Sequence, residues 1–264
     1  MFTKYIVLAV IFYISICAFM YFRQIRLIFP AHFAPASVEP DFIPFITSDG
    51  TKLESKTLLS DNATAPVIIL FTGNAQNATS VIDVIFEGFE KNVNISTVNY
   101  RSFGYSEGTP SEEFLFSDAL EFTKHAKKSF PNKKVHLMGI SLGTGVASYT
   151  ASKENVDGLI LFTPYDSIES VAKSDYPWLP VSYLLKNKFN SVQHLQSVKA
   201  PIAIYRAGQD EVISKKHTDA LANAAKNLAY YKTVEGMKHT QILDPSQNKK
   251  LKETLKEAMQ SLEK

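Results

Sequence analysis

The sequence Gly139-Ile140-Ser141-Leu142-Gly143 places a serine between two glycines, each two residues away. An apolar run at residues 134–138 predicts a strand before it, and small residues at 146–151 are compatible with a helix after it. A strand, a sharp turn bearing a serine and a helix form a nucleophile elbow, in which a Cβ at either glycine would collide with the neighbouring strand or helix. The motif also occurs as an ordinary turn between a strand and a helix, so the rest of the chain decides between the two interpretations.

The composition is that of a globular protein with one large core. The chain has 264 residues, of which 45% are hydrophobic. Its formal net charge of +2 is too small to indicate a nucleic acid or another polyanion as partner. A single cysteine, Cys17, excludes an internal disulfide and a cysteine-based zinc site. We therefore expect no metal, no other cofactor and no nucleic-acid partner.

The N-terminal residues have the length and composition of a membrane span. Residues 5–22 carry no formal charge and are flanked by Lys4 and by Arg23 and Arg26. As a helix they would extend about 27 Å, close to the thickness of the hydrocarbon core. A cleaved signal peptide is the alternative, but its apolar core would be shorter and small residues would follow it closely. We predict that residues 1–26 form an uncleaved single-pass transmembrane anchor, whose flanking charges leave its orientation open.

Strand and helix patterns alternate along the rest of the chain. Besides the strand before Ser141, strands are predicted at residues 42–47, 52–59, 66–72, 94–100, 158–163, 201–206 and 228–234, and helices at 79–90, 111–128, 214–226 and 246–262. Most of these strands are wholly apolar, which is typical of a mostly parallel central sheet with helices on both faces. The first two form a hairpin that adds antiparallel strands at one edge. One α/β domain is therefore predicted for residues 27–264, beginning with a proline-rich connector at 27–44.

Residues 165–197 form an insertion before the strand at 201–206. It is rich in aromatic and apolar residues, Trp178 and Tyr183 among them. Two interpretations remain equally open. The insertion either packs over the edge of the sheet or forms a small apolar cap over a site at the carboxyl ends of the strands, where ligands gather in such sheets.

A serine nucleophile needs a base to take its proton and a carboxylate to orient that base. After a nucleophile elbow the acid comes next in the chain and the histidine last, each on a loop after a later strand. Asp210 follows the strand at 201–206, and His239 follows the strand at 228–234. Glu211 is an alternative acid to Asp210, whereas Asp219 lies deeper in the next helix. The spacing of His217 in that helix predicts a position on the protein surface. Ser141, Asp210 and His239 are the predicted triad.

The oxyanion of a tetrahedral intermediate requires two preorganised donors. The backbone N–H of Leu142, directly after the serine, is one by construction. The second should come from the loop after the strand at 66–72, where the backbone N–H of Asn74 is the candidate. Asn77 is a candidate for bracing this loop.

These motifs resemble those of α/β-hydrolases of the membrane-anchored ABHD type, whose relatives include protein depalmitoylases. The resemblance covers roughly residues 25–243, and its carriers are residues 72–77 (TGNAQN), 100–108 (YRSFGYSEG), 139–145, 176–181 (YPWLPV), 210–213 (DEVI) and His239. It implies an α/β-hydrolase fold with Ser141 as nucleophile, Asp210 as acid and His239 as base. The chain departs from the family pattern at Thr72, where a histidine is usual, and at Gln76, where a glycine is usual.

The leading hypothesis is a membrane-tethered serine hydrolase that cleaves carboxylic esters or thioesters. Its substrate would be a small or lipid-like acyl compound, with an acylated protein as a further candidate. An exopeptidase or an acyltransferase would use the same triad. A catalytically inactive, anchored binding protein is the alternative from another class. Covalent labelling of Ser141 by a fluorophosphonate separates that last alternative from the enzymes.

Overall fold

A single mixed sheet organises residues 2–36 and 42–263, the part of the chain that this computed structural model describes. Residues 37–41 of the predicted connector lie outside the described residues. The eight strands of the described sheet are β1 (Ile43–Ile46), β2 (Lys52–Leu58), β3 (Val67–Phe71), β4 (Asn94–Val98), β5 (Val135–Ile140), β6 (Gly158–Phe162), β7 (Ile202–Ala207) and β8 (Leu228–Val234). Their order in space is β1-β2-β4-β3-β5-β6-β7-β8.

The strand directions confirm the predicted architecture. Strands β1 and β2 pair antiparallel, as do β2 and β4, whereas all neighbours from β4 to β8 are parallel. The predicted hairpin is therefore present at one edge of a mostly parallel sheet. Because β3, β5, β6, β7 and β8 run in the same direction, the loops that follow them meet at one edge.

Helices cover both faces of the sheet, as the apolar strands predict. The helices are α1 (Phe2–Ile28), α2 (Ala78–Gly88), α3 (Glu112–Ser129), α4 (Leu142–Lys153), α5 (Ile168–Asp175), α6 (Val181–Leu184), α7 (Ser191–Leu195), α8 (Lys215–Ala224) and α9 (Asn248–Leu262). Helices α3, α4, α7 and α8 pack on one face, and α2 and α9 on the other. Alternate residues of each central strand enter the two cores, so Ile69 faces α3 and α4 while Leu70 faces α2.

The N-terminal helix α1 runs beyond the residues predicted from the uncharged segment. In the part of the chain that the structure describes, it is the helix long and apolar enough to cross a membrane. Most of its side chains are exposed, and Gln24 near its C-terminal end is buried. The exposed side chains of residues 5–14 are mostly large and apolar, as lipid-facing positions require.

A buried carboxylate organises the loop after β4, which carries the sequence block at residues 100–108. Glu54 of β2 is 1% exposed and accepts hydrogen bonds from the hydroxyl of Thr79, the amide of Asn99 and the N–H of Tyr105. These bonds join β2, the start of α2 and the loop itself. Buried polar groups must be paired to be stable. The hydrogen bonds of Glu54 therefore help to fix the conformation of the loop at residues 100–108.

A partly buried histidine in α7 gives the stability of the fold a pH dependence. The ring of His194 packs edge-on against Phe116 and Tyr149, with centroids 5.4 Å and 5.1 Å away. Burial, with a smaller effect of the nearby Lys153, lowers the pKa of His194 to about 4. The unfolded chain binds this proton at about pH 6.5 and the folded chain only near pH 4. Stability is therefore lost as the pH falls between these two values.

We expect His194 to reduce the free energy of unfolding by about 1–2 kcal/mol between pH 7 and pH 4, since its ring keeps partial contact with water. The substitution His194→Phe keeps an aromatic ring and should remove this part of the decrease in the free energy of unfolding at low pH. Urea denaturation at both pH values measures it. Burial also lowers the pKa of His136 in β5, so the variant should show a weaker pH dependence and not a flat one. An unchanged dependence would contradict the assignment to His194.

Candidate active site

The turn between β5 and α4 has the geometry of a nucleophile elbow. Ser141 has φ 50° and ψ −118° and directly precedes the first residue of α4. A Cβ at Gly139 would lie 2.6 Å from the carbonyl oxygen of Gly143, and a Cβ at Gly143 would collide with the carbonyl oxygen of Phe71 in β3. The predicted reason for the two glycines is therefore confirmed. The strained turn holds the serine above the edge of the sheet.

The structure brings the three residues of the predicted triad into one hydrogen-bonded line. Nε2 of His239 lies 2.7 Å from Oγ of Ser141, and Nδ1 lies 2.9 Å from both carboxylate oxygens of Asp210. The side chains of His239 and Asp210 are 10% and 2% exposed. Oδ1 of Asp210 also accepts the N–H groups of Val212 and Ile213 at 2.9 Å and 2.8 Å. The carboxylate is thus fixed by the loop after β7 before it orients the imidazole.

The two candidate oxyanion donors line the same cavity as Ser141. Leu142 is the first residue of α4, where the N–H groups of the first turn have no acceptor within the helix. Asn74 lies in the loop after β3, and both residues border a cavity of about 470 Å³ that also contains Ser141 and His239. Their N–H groups are therefore candidates to bind a developing oxyanion beside the serine.

Comparisons with known proteins agree with this geometry. The family model described as "alpha/beta hydrolase fold" matches residues 66–194. A protein named as an uncharacterised membrane protein of Saccharomyces cerevisiae is 33% identical over 219 residues, 76% of this chain and 76% of the relative. The chain belongs to the α/β-hydrolase family. An uncharacterised protein of Mycobacterium tuberculosis is 25% identical over 234 residues, 85% of this α/β hydrolase and 83% of the relative.

A solved structure extends the likeness of this α/β hydrolase beyond the residues matched by the family model. An esterase of Pyrococcus furiosus superposes with a TM-score of 0.65 and 16% identity, covering 85% of this chain and 91% of that one. At this identity the likeness concerns the fold alone. The predicted family and fold class are confirmed, including the mostly parallel sheet and the helices around it.

The alternative acids in this α/β hydrolase lie elsewhere. Oε2 of Glu211 accepts the backbone N–H of His239 at 3.3 Å. Asp219 pairs with Lys215 and accepts the hydroxyl of Tyr231 at 2.6 Å, and the hydrogen bond from Lys215 is the main cause that lowers the pKa of Asp219. The carboxylate that contacts the imidazole ring is that of Asp210.

The expected surface position of His217 is wrong. The residue is 3% exposed, because the insertion at 165–197 covers the face of α8 on which it lies. Its Nδ1 lies 2.9 Å from Oδ1 of Asp166, and its Nε2 lies 3.2 Å from Oγ of Ser174 in α5. His217 therefore joins α8 to the cap helix α5. The helical spacing alone could not show this, because the cap comes from a distant part of the chain.

The loop that carries Asn74 is braced by two residues that sequence reasoning missed. The side-chain oxygen of Gln76 accepts the N–H of Gly73 at 2.7 Å, and the buried hydroxyl of Tyr100 donates to the carbonyl of Thr72 at 2.8 Å. Burial raises the pKa of Tyr100, which keeps the phenol a donor. The departure of Gln76 from the family pattern was the available signal. Asn77 instead caps α2, accepting the N–H of Thr79.

The insertion at 165–197 contains α5, α6 and α7, and its first helix reaches the site. Ile168 and Val171 of α5 border the cavity of Ser141, together with Val212 and Ile213 of the loop after β7. The cap interpretation therefore fits the structure better than packing over the sheet edge alone. In residues 2–36 and 42–263 no cluster of three or more His, Cys, Asp or Glu side chains is placed to hold a metal ion.

We expect Gly143→Ala to lower the free energy of unfolding by about 2–3 kcal/mol. The added methyl group meets backbone atoms of Phe71 and Thr72, which cannot move aside without breaking the pairing of β3. Urea denaturation of the variant and of the unaltered protein measures the difference. Equal stability would mean that the backbones of α4 and β3 are far enough apart at Gly143 to accept a methyl group.

Proposed function

We propose that this chain is a membrane-tethered serine hydrolase that cleaves carboxylic esters and thioesters through an acyl-enzyme intermediate. The observation that carries the proposal is the continuous line of hydrogen bonds from Ser141 through His239 to Asp210. This line ends in a cavity bordered by two candidate oxyanion donors. The membrane tether is proposed on the length and apolarity of α1, with support from a relative that is named as a membrane protein.

The mechanism follows from the positions of these groups. The carboxylate of Asp210 favours the tautomer with a proton on Nδ1 of His239, which leaves Nε2 free to accept the proton of Ser141. Oγ then attacks the carbonyl carbon, and the N–H groups of Leu142 and Asn74 bind the oxyanion. As the intermediate collapses, Nε2 returns its proton to the departing alcohol or thiol, and the acyl group stays on Ser141.

Deacylation repeats the same steps with water as the nucleophile. His239 takes a proton from the water, the resulting hydroxide attacks the acyl carbon, and Ser141 leaves with the proton that His239 holds. The carboxylic acid is released and the free serine is restored. Each half-reaction therefore uses His239 first as a base and then as an acid.

The lining of the cavity favours an acyl compound over a charged substrate. Around Ser141 the wall contains Leu27, Ile168, Val171 and Val212, which are apolar, and Asp175 supplies a negative charge. An apolar wall beside the nucleophile suits the hydrocarbon part of an ester. A lipid-like ester and an acylated protein both present such a group, and we propose the acyl group itself as the element recognised.

The proposal is tested by labelling and by turnover. The full chain in detergent is treated with a fluorophosphonate, and peptide mapping should find the adduct on Ser141. Butyrate esters and thioesters should be hydrolysed, whereas the anilide of the same acid should not. Absence of an adduct on otherwise folded protein would favour an inactive binding protein. Cleavage of the anilide at a comparable rate would favour a peptidase, and transfer to an added alcohol in preference to water would favour an acyltransferase.

A further inference from the structure

A second cavity lies between α1 and the cap. It has a volume of about 260 Å³ and is bordered by Met20, Gln24 and Leu27 of α1 and by residues of α5 and α6, Ala172 and Leu184 among them. Most of its lining is apolar. The amide of Gln24 is occupied, because its nitrogen donates to the carbonyl of Leu184 at 3.0 Å and its oxygen accepts the N–H of Lys186 at 2.8 Å.

This cavity adjoins that of Ser141, because the two share part of their lining. Leu27 and Ile28 of α1 and Ile168, Val171 and Asp175 of α5 border both cavities. The two cavities together form a path from the nucleophile, between α1 and α5, to α6, and apart from Asp175 the residues that border both are apolar. We call this path the α1–cap channel. A compact substrate would fill only the part beside Ser141, whereas a substrate that also fills the remainder has to be long and largely apolar.

The cap is attached to α1 at two levels. The hydroxyl of Tyr13 donates to the carbonyl of Trp178 at 2.9 Å, and Gln24 bonds to the cap eleven residues later. Along a helix these two levels are about 16 Å apart. Tyr13 lies within the uncharged residues 5–22, so the cap loop lies beside the part of α1 that suits hydrocarbon.

The outer surface of the cap fits a position in the membrane surface. Tyr176, Trp178 and Tyr183 are 41%, 53% and 90% exposed. Tyrosine and tryptophan are enriched where membranes meet water. Lys186 lies over the ring of Tyr21 with its ammonium 4.4 Å from the centroid, which puts a positive charge near the C-terminal end of α1. With the cap at the membrane surface, the end of the α1–cap channel away from Ser141 would face the leaflet.

We propose that the α1–cap channel binds the fatty acyl chain of the substrate, and that the chain enters it from the bilayer along α1. This inference rests on the proposed function, because Ser141 must attack the carbonyl at one end of that chain. It makes α1 part of the substrate site in addition to its role as a tether. A lipid ester and an S-acylated peptide carry the same chain, and the channel recognises what they share.

The first test compares acyl chain lengths. Acetate and decanoate esters of nitrophenol are hydrolysed by the full chain in phosphatidylcholine vesicles, and the ratio of kcat/KM for decanoate to that for acetate is measured. We expect Met20→Trp and Ala172→Leu, which fill the channel from opposite sides, each to lower this ratio at least tenfold. The control Phe19→Trp adds the same side chain at an exposed neighbour outside the channel and should keep the ratio. An unchanged ratio in Met20→Trp and Ala172→Leu would overturn the proposal.

The second test locates the chain directly and needs no turnover. A long-chain alkyl fluorophosphonate with a terminal diazirine is attached to Ser141 and then irradiated. Cross-links to residues 20–28 or 172–185 are expected, and cross-links confined to other segments would overturn the proposal. If the probe does not attach to Ser141 at all, the proposed function fails, which is a different result. Monodecanoylglycerol and a decanoyl-cysteine peptide, assayed in the same vesicles, then show which source of the chain is cleaved.

Discussion

Replacing Ser141 with alanine is expected to lower kcat for an activated ester about 10⁴- to 10⁶-fold, the loss that serine hydrolases show when the nucleophile is removed. The variant keeps the cavity, His239 and the two candidate oxyanion donors, so it should bind the substrate with a similar affinity. Initial rates with nitrophenyl butyrate, after purification that excludes traces of the unaltered enzyme, measure the effect. Fluorophosphonate labelling should disappear together with the turnover.

The stability of the Ser141→Ala variant separates a chemical loss from a structural one. Its melting temperature should stay close to that of the unaltered protein, because the substitution removes one hydrogen bond to His239 and no packing. Ser152→Ala, at the other end of α4, is the matched control, since its hydroxyl donates to the carbonyl of Tyr149. That control should keep kcat within about twofold. Turnover by Ser141→Ala at the rate of the unaltered protein would show that Ser141 is not the nucleophile.

Replacing Asp210 with asparagine is expected to lower kcat about 10⁴-fold. The amide oxygen can keep the N–H groups of Val212 and Ile213, which hold Oδ1 now. The amide nitrogen would then face Nδ1 of His239 and donate to it. His239 would carry its proton on Nε2 instead, and it could not accept the proton of Ser141. Turnover should recover in part at high pH, where the hydroxide ion can replace the base in deacylation.

Glu211→Gln is the matched control for the acid. Its carboxylate accepts the backbone N–H of His239 and not the imidazole N–H, so kcat should fall by no more than a few-fold. Asp219→Asn should behave in the same way, because Asp219 pairs with Lys215 on α8. A loss with Glu211→Gln as large as that with Asp210→Asn would transfer the role of the acid to Glu211.

Local patterns were sufficient to predict the elbow, the sheet and the meeting of Ser141, Asp210 and His239 at one edge of the sheet. Successive residues of a strand point to opposite faces of the sheet. The continuous apolar run of β3 therefore indicates a strand that is covered on both faces. Asp210 and His239 could be placed because each follows a strand, and parallel strands bring such loops to one edge. These predictions need only the direction of each strand and the order of the elements along the chain.

Contacts between distant segments could not be predicted in the same way. The burial of His217 depends on the cap crossing α8, and the role of Gln76 depends on its side chain turning back to Gly73. The contact of Gln24 with Leu184 joins residues that are 160 positions apart. Helical spacing describes which residues share a face, but it does not show which other segment covers that face.

The contribution of Met20 and Gln24 to the wall of the α1–cap channel has a practical consequence for handling the enzyme. Removing the N-terminal helix to obtain a water-soluble form, with residue 27 as its first residue, would delete both side chains and expose the cap to solvent along one side. Such a truncated enzyme would keep Ser141, Asp210 and His239, and under the proposed function we expect it to cleave short esters. Its selectivity for acyl chain length would differ from that of the intact chain, because one wall of the channel would be missing. Inhibitor screens and substrate surveys should therefore use the intact chain.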